Sequence, residues 1–207
     1  DKQHGVNVPN MQRSVQKSLE YYTKNFGPYY HKQARIIEFP KYASFAQAFP
    51  GTMPYSENIG FIKDLRDVKG KDIDFVYYVV AHEMGHQYWA HQVIGPNMQG
   101  SEWMSEGFAQ YSALMVMEKE YGKAKMKRFL EYEMNNYLQG RSDEREAEKP
   151  ISRNEHQSYI YYQKASVAMY YLKEMIGEDK VNEALRSLIT QFAYKEPPYP
   201  TALNALA

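Results

Sequence analysis

The 207-residue chain has no cysteine, which excludes a disulfide framework and any thiolate metal site and leaves the redox compartment open. It has no charge excess either. Its 25 Lys and Arg balance 25 Asp and Glu, so no net field draws in nucleic acid or an anionic membrane surface, and no nucleic-acid partner is expected. Long apolar runs are also missing. The longest, Phe75 to Ala81, is far too short to span a bilayer, so no membrane contact is expected from this stretch itself. No signal peptide opens the given chain, which begins at Asp1 rather than Met. At the other end Pro197-Pro198-Tyr199-Pro200 stops one helix, and Thr201 reads as the cap of another that ends after barely two turns. We therefore expect an excised piece of a longer protein. What is present in quantity is tyrosine, 20 residues of it, suited to amphipathic packing at a wet surface. The length and apolar content suffice for one core and one domain.

The order of elements predicts an α+β class, mostly helical after a small β-rich beginning at about 30–65. Val15, Leu19, Tyr22 and Phe26 follow a helical spacing that ends at Gly27-Pro28. Ala34 to Phe39 reads as a strand stopped by Pro40. Weaker strands are expected at Ser44 to Phe49 and Asn58 to Ile62, around a turn at Pro50 to Pro54. From Asp72 the chain turns helical. Phe75, Tyr78, Val79, His82, His86 and Trp89 share one stripe, with Asp72 or Asp74 as cap. The β-branched residues before His82 would also suit a buried strand. Further helices are expected at Ser101 to Tyr121, 123–138, 158–176 and 179–193, with a charged loop from Gly140 to Pro150.

Within the first of these stripes lies His82-Glu83-Met84-Gly85-His86, a His-Glu-x-x-His pattern. On a helix the two histidines lie four apart on one face and can reach one ion, with Glu83 beside that ion but not on it. Catalytic zinc needs three protein ligands and an open fourth position. A third histidine six residues after His86 would complete one known type of site, but that position is Gln92, and Trp89 stands where such a site needs glycine. His91 is out of register and reads as a surface or loop residue. The other solution takes a glutamate from a following helix. Glu102 and Glu106 both qualify, and spacing alone does not separate them. Glu102 also has a structural use in a first helical turn.

His82 to Gln87, followed by Trp103-Met104-Ser105-Glu106-Gly107-Phe108-Ala109, resembles the aminopeptidase N family of zinc metallopeptidases, whose second motif reads Trp-x-x-Glu-Gly-Phe-Ala. The resemblance makes Glu106 the third ligand of one zinc ion. The 19 residues between His86 and Glu106 are one more than usual in the family, which implies an insertion in the Gly95 to Gly100 loop. Tyr162-Gln163-Lys164-Ala165 resembles a Tyr-x-Lys-Gly segment whose tyrosine stabilises an oxyanion. Ser56-Glu57-Asn58-Ile59-Gly60 resembles the end of a Gly-x-Met-Glu-Asn motif, which assigns Glu57 and Asn58 to substrate binding and Glu57 to the substrate's free amine. Here Pro54-Tyr55-Ser56 replaces Gly-x-Met, which removes one N–H donor.

The resemblance implies a thermolysin-like catalytic domain over residues 1–207, missing flanking domains, a peptide substrate and release of N-terminal residues, with Glu83 as general base and Tyr162 on the oxyanion. Two alternatives stay open. One is an endopeptidase on the same scaffold. The other is an inactive zinc-containing module of a larger membrane-associated, transporter-like protein, because Tyr194 to Pro200 resembles bacterial relatives fused to permease segments. That likeness would place the domain on the extracytoplasmic side.

Overall fold

In the computed structural model, residues 2–65 and 73–195 are described. The expected helix near the amino terminus is α1, Val8–Asn25, with a proline in its first turn. It lies on α2, Phe75–His86, and is fastened to that helix's backbone: Ser14 Oγ donates to the Tyr77 carbonyl (2.7 Å) and Tyr22 Oη to that of Ala81 (2.8 Å). Despite its β-branched residues, α2 is a helix buried on nearly every side, from Val76 to His86. Asp74 caps it by accepting the Tyr77 N–H at 3.0 Å, and Asn10 and Tyr121 donate to the same carboxylate. Such a cap contributes about 1 kcal/mol. The alternative cap Asp72 lies outside the described residues, as does the helix expected after Thr201.

The β portion differs in detail from expectation. Arg35–Phe39 is β1, close to the predicted strand. Its partner β2 is Thr52–Ser56, largely where a turn is expected, and the two run parallel with Arg35 opposite Thr52 and Phe39 opposite Ser56. Pro54 sits in β2 because its carbonyl still accepts, here from Gln47 N–H at 3.1 Å. The segment expected as a strand at Ser44 to Phe49 makes isolated antiparallel bridges to the other edge of β2, Ala46 to Tyr55 and Phe49 to Thr52. Asn58 to Ile62 is not a strand. It folds as a turn, in which the Asn7 side chain donates to the Gly60 and Lys63 carbonyls.

The remaining helices are α3 (Phe108–Tyr121), α4 (Lys123–Asp143), α5 (Ala165–Ile176) and α6 (Glu178–Phe192). α4 continues past the expected end at 138, so the charged loop starts after Asp143. Two π-helical turns, Trp103–Gly107 and Ile160–Lys164, lead into α3 and α5. The core joins α1, α2, α3 and α6 through Tyr22, Phe26, Tyr88, Trp89, Phe108 and Leu185. α2 and α3 approach closely at Gly85, where an added Cβ would stand 3.1 Å from the Ala109 Cα. That approach brings Glu106 to the α2 histidines. Among the described residues, no helix is long and apolar enough to cross a membrane.

Candidate active site

α2 ends at His86, one turn earlier than the stripe to Trp89 suggests. The chain then folds back through Ala90, which adopts φ 126°, a region that L-residues rarely enter. Trp89 is fully buried between Phe26 and Phe108 (ring centroids 5.3 and 5.2 Å), and its Nε1 donates to Ser112 Oγ at 2.9 Å. This fixes the Trp89 carbonyl, which accepts from His86 Nδ1 at 2.9 Å. A nitrogen facing a carbonyl carries the proton, so Nε2 of His86 offers its lone pair to the other side.

On that side three donors converge. His82 Nε2 and His86 Nε2 are 2.9 Å apart, and Glu106 Oε2 lies 3.1 and 3.0 Å from them. Tetrahedral zinc with ligands at about 2.0–2.1 Å separates them by about 3.3 Å, so the triangle fits with small adjustments. The two imidazoles meet edge to face at 4.5 Å. Without an ion, burial opposes a charge on His86, but the hydrogen bond and field of Glu106 outweigh it and push its pKa up to about 9. Burial likewise favours a neutral Glu106, yet the two histidines hold its carboxyl far below the usual range. A donor set of two neutral imidazoles and one carboxylate is a zinc set.

The cluster forms part of the wall of a cavity of about 430 Å³, together with Glu83, Tyr162, Ser105, His91 and the segment Phe45 to Ala48. Glu83 is buried, and its Oε2 has no partner. Burial raises its pKa, with His82 and His86 pulling the other way. The Tyr162 ring lies 6.0 Å from that of His82, and burial followed by the nearby Glu106 raises the phenol's pKa, so it stays a donor. Glu106 and Tyr162 each sit in one of the two π turns, a rare geometry concentrated at functional sites. The turns touch at Gly107, where a Cβ would stand 3.0 Å from the Ala165 Cβ and 3.2 Å from the Tyr161 carbonyl.

The structure does not bring Glu57 and Asn58 to this cavity. Glu57 Oε1 accepts the Lys41 N–H (3.0 Å), and its Oε2 faces His4 at 3.8 Å. Asn58 is held by Ser56 and Ser44, each at 2.6 Å. His91 stays outside the donor triangle, although it lines the cavity and donates from Nε2 to the Ala48 carbonyl (2.9 Å). Glu102 is also outside the triangle. Sequence reasoning missed the wall at Phe45 to Ala48. Its side chains carry no distinctive chemistry, and its bridges to β2 together with the His91 bond to the Ala48 carbonyl hold it there.

The Peptidase family M1 domain matches residues 11–206. The chain belongs to peptidase family M1. Endoplasmic reticulum aminopeptidase 2 of Homo sapiens is 26% identical over 189 residues, covering 86% of this chain and 19% of that protein. Aminopeptidase N of Acetobacter pasteurianus is 31% identical over 98 residues, covering 46% of this chain and 27% of that protein. This M1 chain thus spans about a fifth to a quarter of those relatives. The solved M1 zinc metallopeptidase of Deinococcus radiodurans has the same fold, with a TM-score of 0.67 at 20% identity, over 95% of this chain and 39% of that one. The expected mostly helical domain with a small β portion is therefore an M1 fold.

Proposed function

We propose that this M1 domain hydrolyses peptide bonds with one zinc ion per chain, held by His82, His86 and Glu106, and that it releases N-terminal residues as an aminopeptidase. The convergence of those three donors beside an unpartnered Glu83 carries the reading. Zinc in such a set acidifies a water molecule and polarises a carbonyl. The free Oε2 of Glu83 takes the proton from the attacking water and later delivers it to the departing amine. Tyr162, a persistent donor, gives a hydrogen bond to the carbonyl oxygen as negative charge grows there. His86 keeps its Nδ1 proton on the Trp89 carbonyl throughout, which holds the ring in place. The aminopeptidase names of the relatives support the exopeptidase part. The test is metal analysis paired with chelator-sensitive hydrolysis of a panel of amino-terminal amide reporters. One zinc per chain without any hydrolysis would instead favour an inactive module.

One observation favours a second reading, cleavage within peptides. Exopeptidase action needs an anion to receive the α-ammonium. Among the described residues the cavity wall holds no carboxylate besides Glu83 and Glu106, and Glu57 is engaged elsewhere. Hydrolysis of a peptide and of its N-acetylated form separates the two. Retained activity on the acetylated peptide would defeat the aminopeptidase reading.

A further inference from the structure

Beneath the zinc-type cluster lies a carboxylate to which the chemistry above gives no role. Glu133, in α4, is fully buried. Its Oε1 accepts from Tyr78 Oη at 2.7 Å and from Gln110 Nε2 at 3.1 Å. Its Oε2 lies 3.5 Å from Ser166 Oγ, a long contact, since that hydroxyl also meets the Gln163 carbonyl at 2.9 Å. The three partners come from three elements, α2, α3 and α5, so one side chain of a fourth helix gathers them.

Their positions are not arbitrary with respect to the site. Tyr78 precedes His82 by four residues, Gln110 follows Glu106 by four, and Ser166 follows Tyr162 by four. Tyr78 therefore stands about one turn from His82 on the same side of α2, and Gln110 and Ser166 each stand about one turn beyond a site residue. Two of those site residues are in π turns, where the phase of the side chains is offset from the helix that follows. The rotation of each element about its own axis then has to be fixed by something outside the local backbone. A buried carboxylate is a costly way to join helices, since an apolar side chain of similar volume often packs as well or better. What the carboxylate supplies and leucine does not is a directional lock on three elements.

We propose that Glu133 is a positioning residue for the zinc site, setting the rotation of α2, α3 and the turn before α5 so that His82, Glu106 and Tyr162 converge. This rests on the zinc-peptidase reading of the cluster. The Tyr78 arm, short and fully buried, acts on His82; the Gln110 arm acts on Glu106; the Ser166 arm, already shared with a backbone carbonyl, acts most weakly on Tyr162.

The test compares Glu133→Leu, Glu133→Gln and Tyr78→Phe with the unsubstituted chain, reading zinc affinity by chelator competition and, separately, the thermal midpoint of the metal-free protein. Tyr170→Phe is the structural control: it removes a 2.5 Å hydrogen bond to Glu118 in another α3–α5 contact. Glu133→Leu is expected to weaken zinc binding about 10- to 100-fold, the range for a lost group that orients ligands. Glu133→Gln keeps an acceptor oxygen for Tyr78 and is expected to restore affinity to within about threefold of the unsubstituted chain. If Glu133→Leu does not fold, Tyr78→Phe carries the same reading, with an expected loss of about tenfold. Tyr170→Phe should move only the midpoint. Substitutions at 133 and 78 that lower the midpoint as the control does, with zinc affinity unchanged, would overturn the proposal. Because zinc affinity is read without turnover, failure of the peptidase reading on a chain that binds zinc is distinguishable from failure of this one.

Discussion

Among the described residues, two groups of three histidine and glutamate side chains lie close enough to hold an ion, and they differ in almost every other respect. His82, His86 and Glu106 come from a buried helix and the π turn packed on it, with both histidine side chains only 10% exposed. His86 is oriented from behind by a fixed carbonyl. His4, Glu38 and Glu57 come from the first turn of the chain and the ends of two short strands, with side chains 28, 32 and 16% exposed. His4 Nδ1 bonds Glu38 directly at 2.5 Å, and one oxygen of Glu57 is committed to a backbone N–H. The contrast teaches that residue type and proximity are shared by both groups. Buried donors, a ring held from behind and an unpartnered carboxylate oxygen beside them belong, among the described residues, to the first group alone.

The largest effect expected from breaking this contrast is at the base. Glu83→Gln should lower kcat by about a thousandfold while zinc content stays the same, measured by steady-state kinetics and metal analysis on one preparation. Tyr162→Phe comes next, with about a hundredfold loss in kcat and a smaller change in KM. The third prediction concerns pH. In the metal-free chain His86 has its pKa raised to about 9, above the usual value for histidine, so its proton stabilises the fold fully below about 6.5. That contribution is lost as pH rises through 9. Zinc has to displace the same proton, so zinc affinity should climb by about tenfold per unit from pH 7 to 9 and level off above, read by chelator competition. The smallest effects belong to the second group. Glu57→Gln and His4→Ala should leave zinc stoichiometry and kcat unchanged and alter stability by about 1 kcal/mol or less in thermal unfolding. A large rise in KM from Glu57→Gln would bring that residue back to the substrate.

The same contrast explains what was legible in the sequence. His82, Glu83 and His86 lie within one helical turn, so their geometry follows from local backbone alone. The choice of Glu106 over Glu102 came from the Trp-x-x-Glu-Gly-Phe-Ala resemblance, and the structure places Glu106 in the triangle. Strand β2 was hidden because Thr52-Met53-Pro54 follows Pro50-Gly51 and reads as a turn, whereas pairing on both edges makes it a strand. The cavity wall at Phe45 to Ala48 and the gathering of three helices on Glu133 depend on contacts between distant segments, which no local pattern carries. The two π turns were not legible either, since Ser101 to Tyr121 and 158–176 each read as one continuous helix.

Whether hydrolysis depends on an ion held by the first group is tested most directly by a zinc titration of the metal-free chain, following bound metal and hydrolysis of a peptide amide reporter together, alongside Glu106→Ala. Binding and activity are expected to saturate together at one equivalent, and Glu106→Ala is expected to lose both. Hydrolysis by the metal-free chain, or undiminished zinc binding by Glu106→Ala, would contradict that dependence.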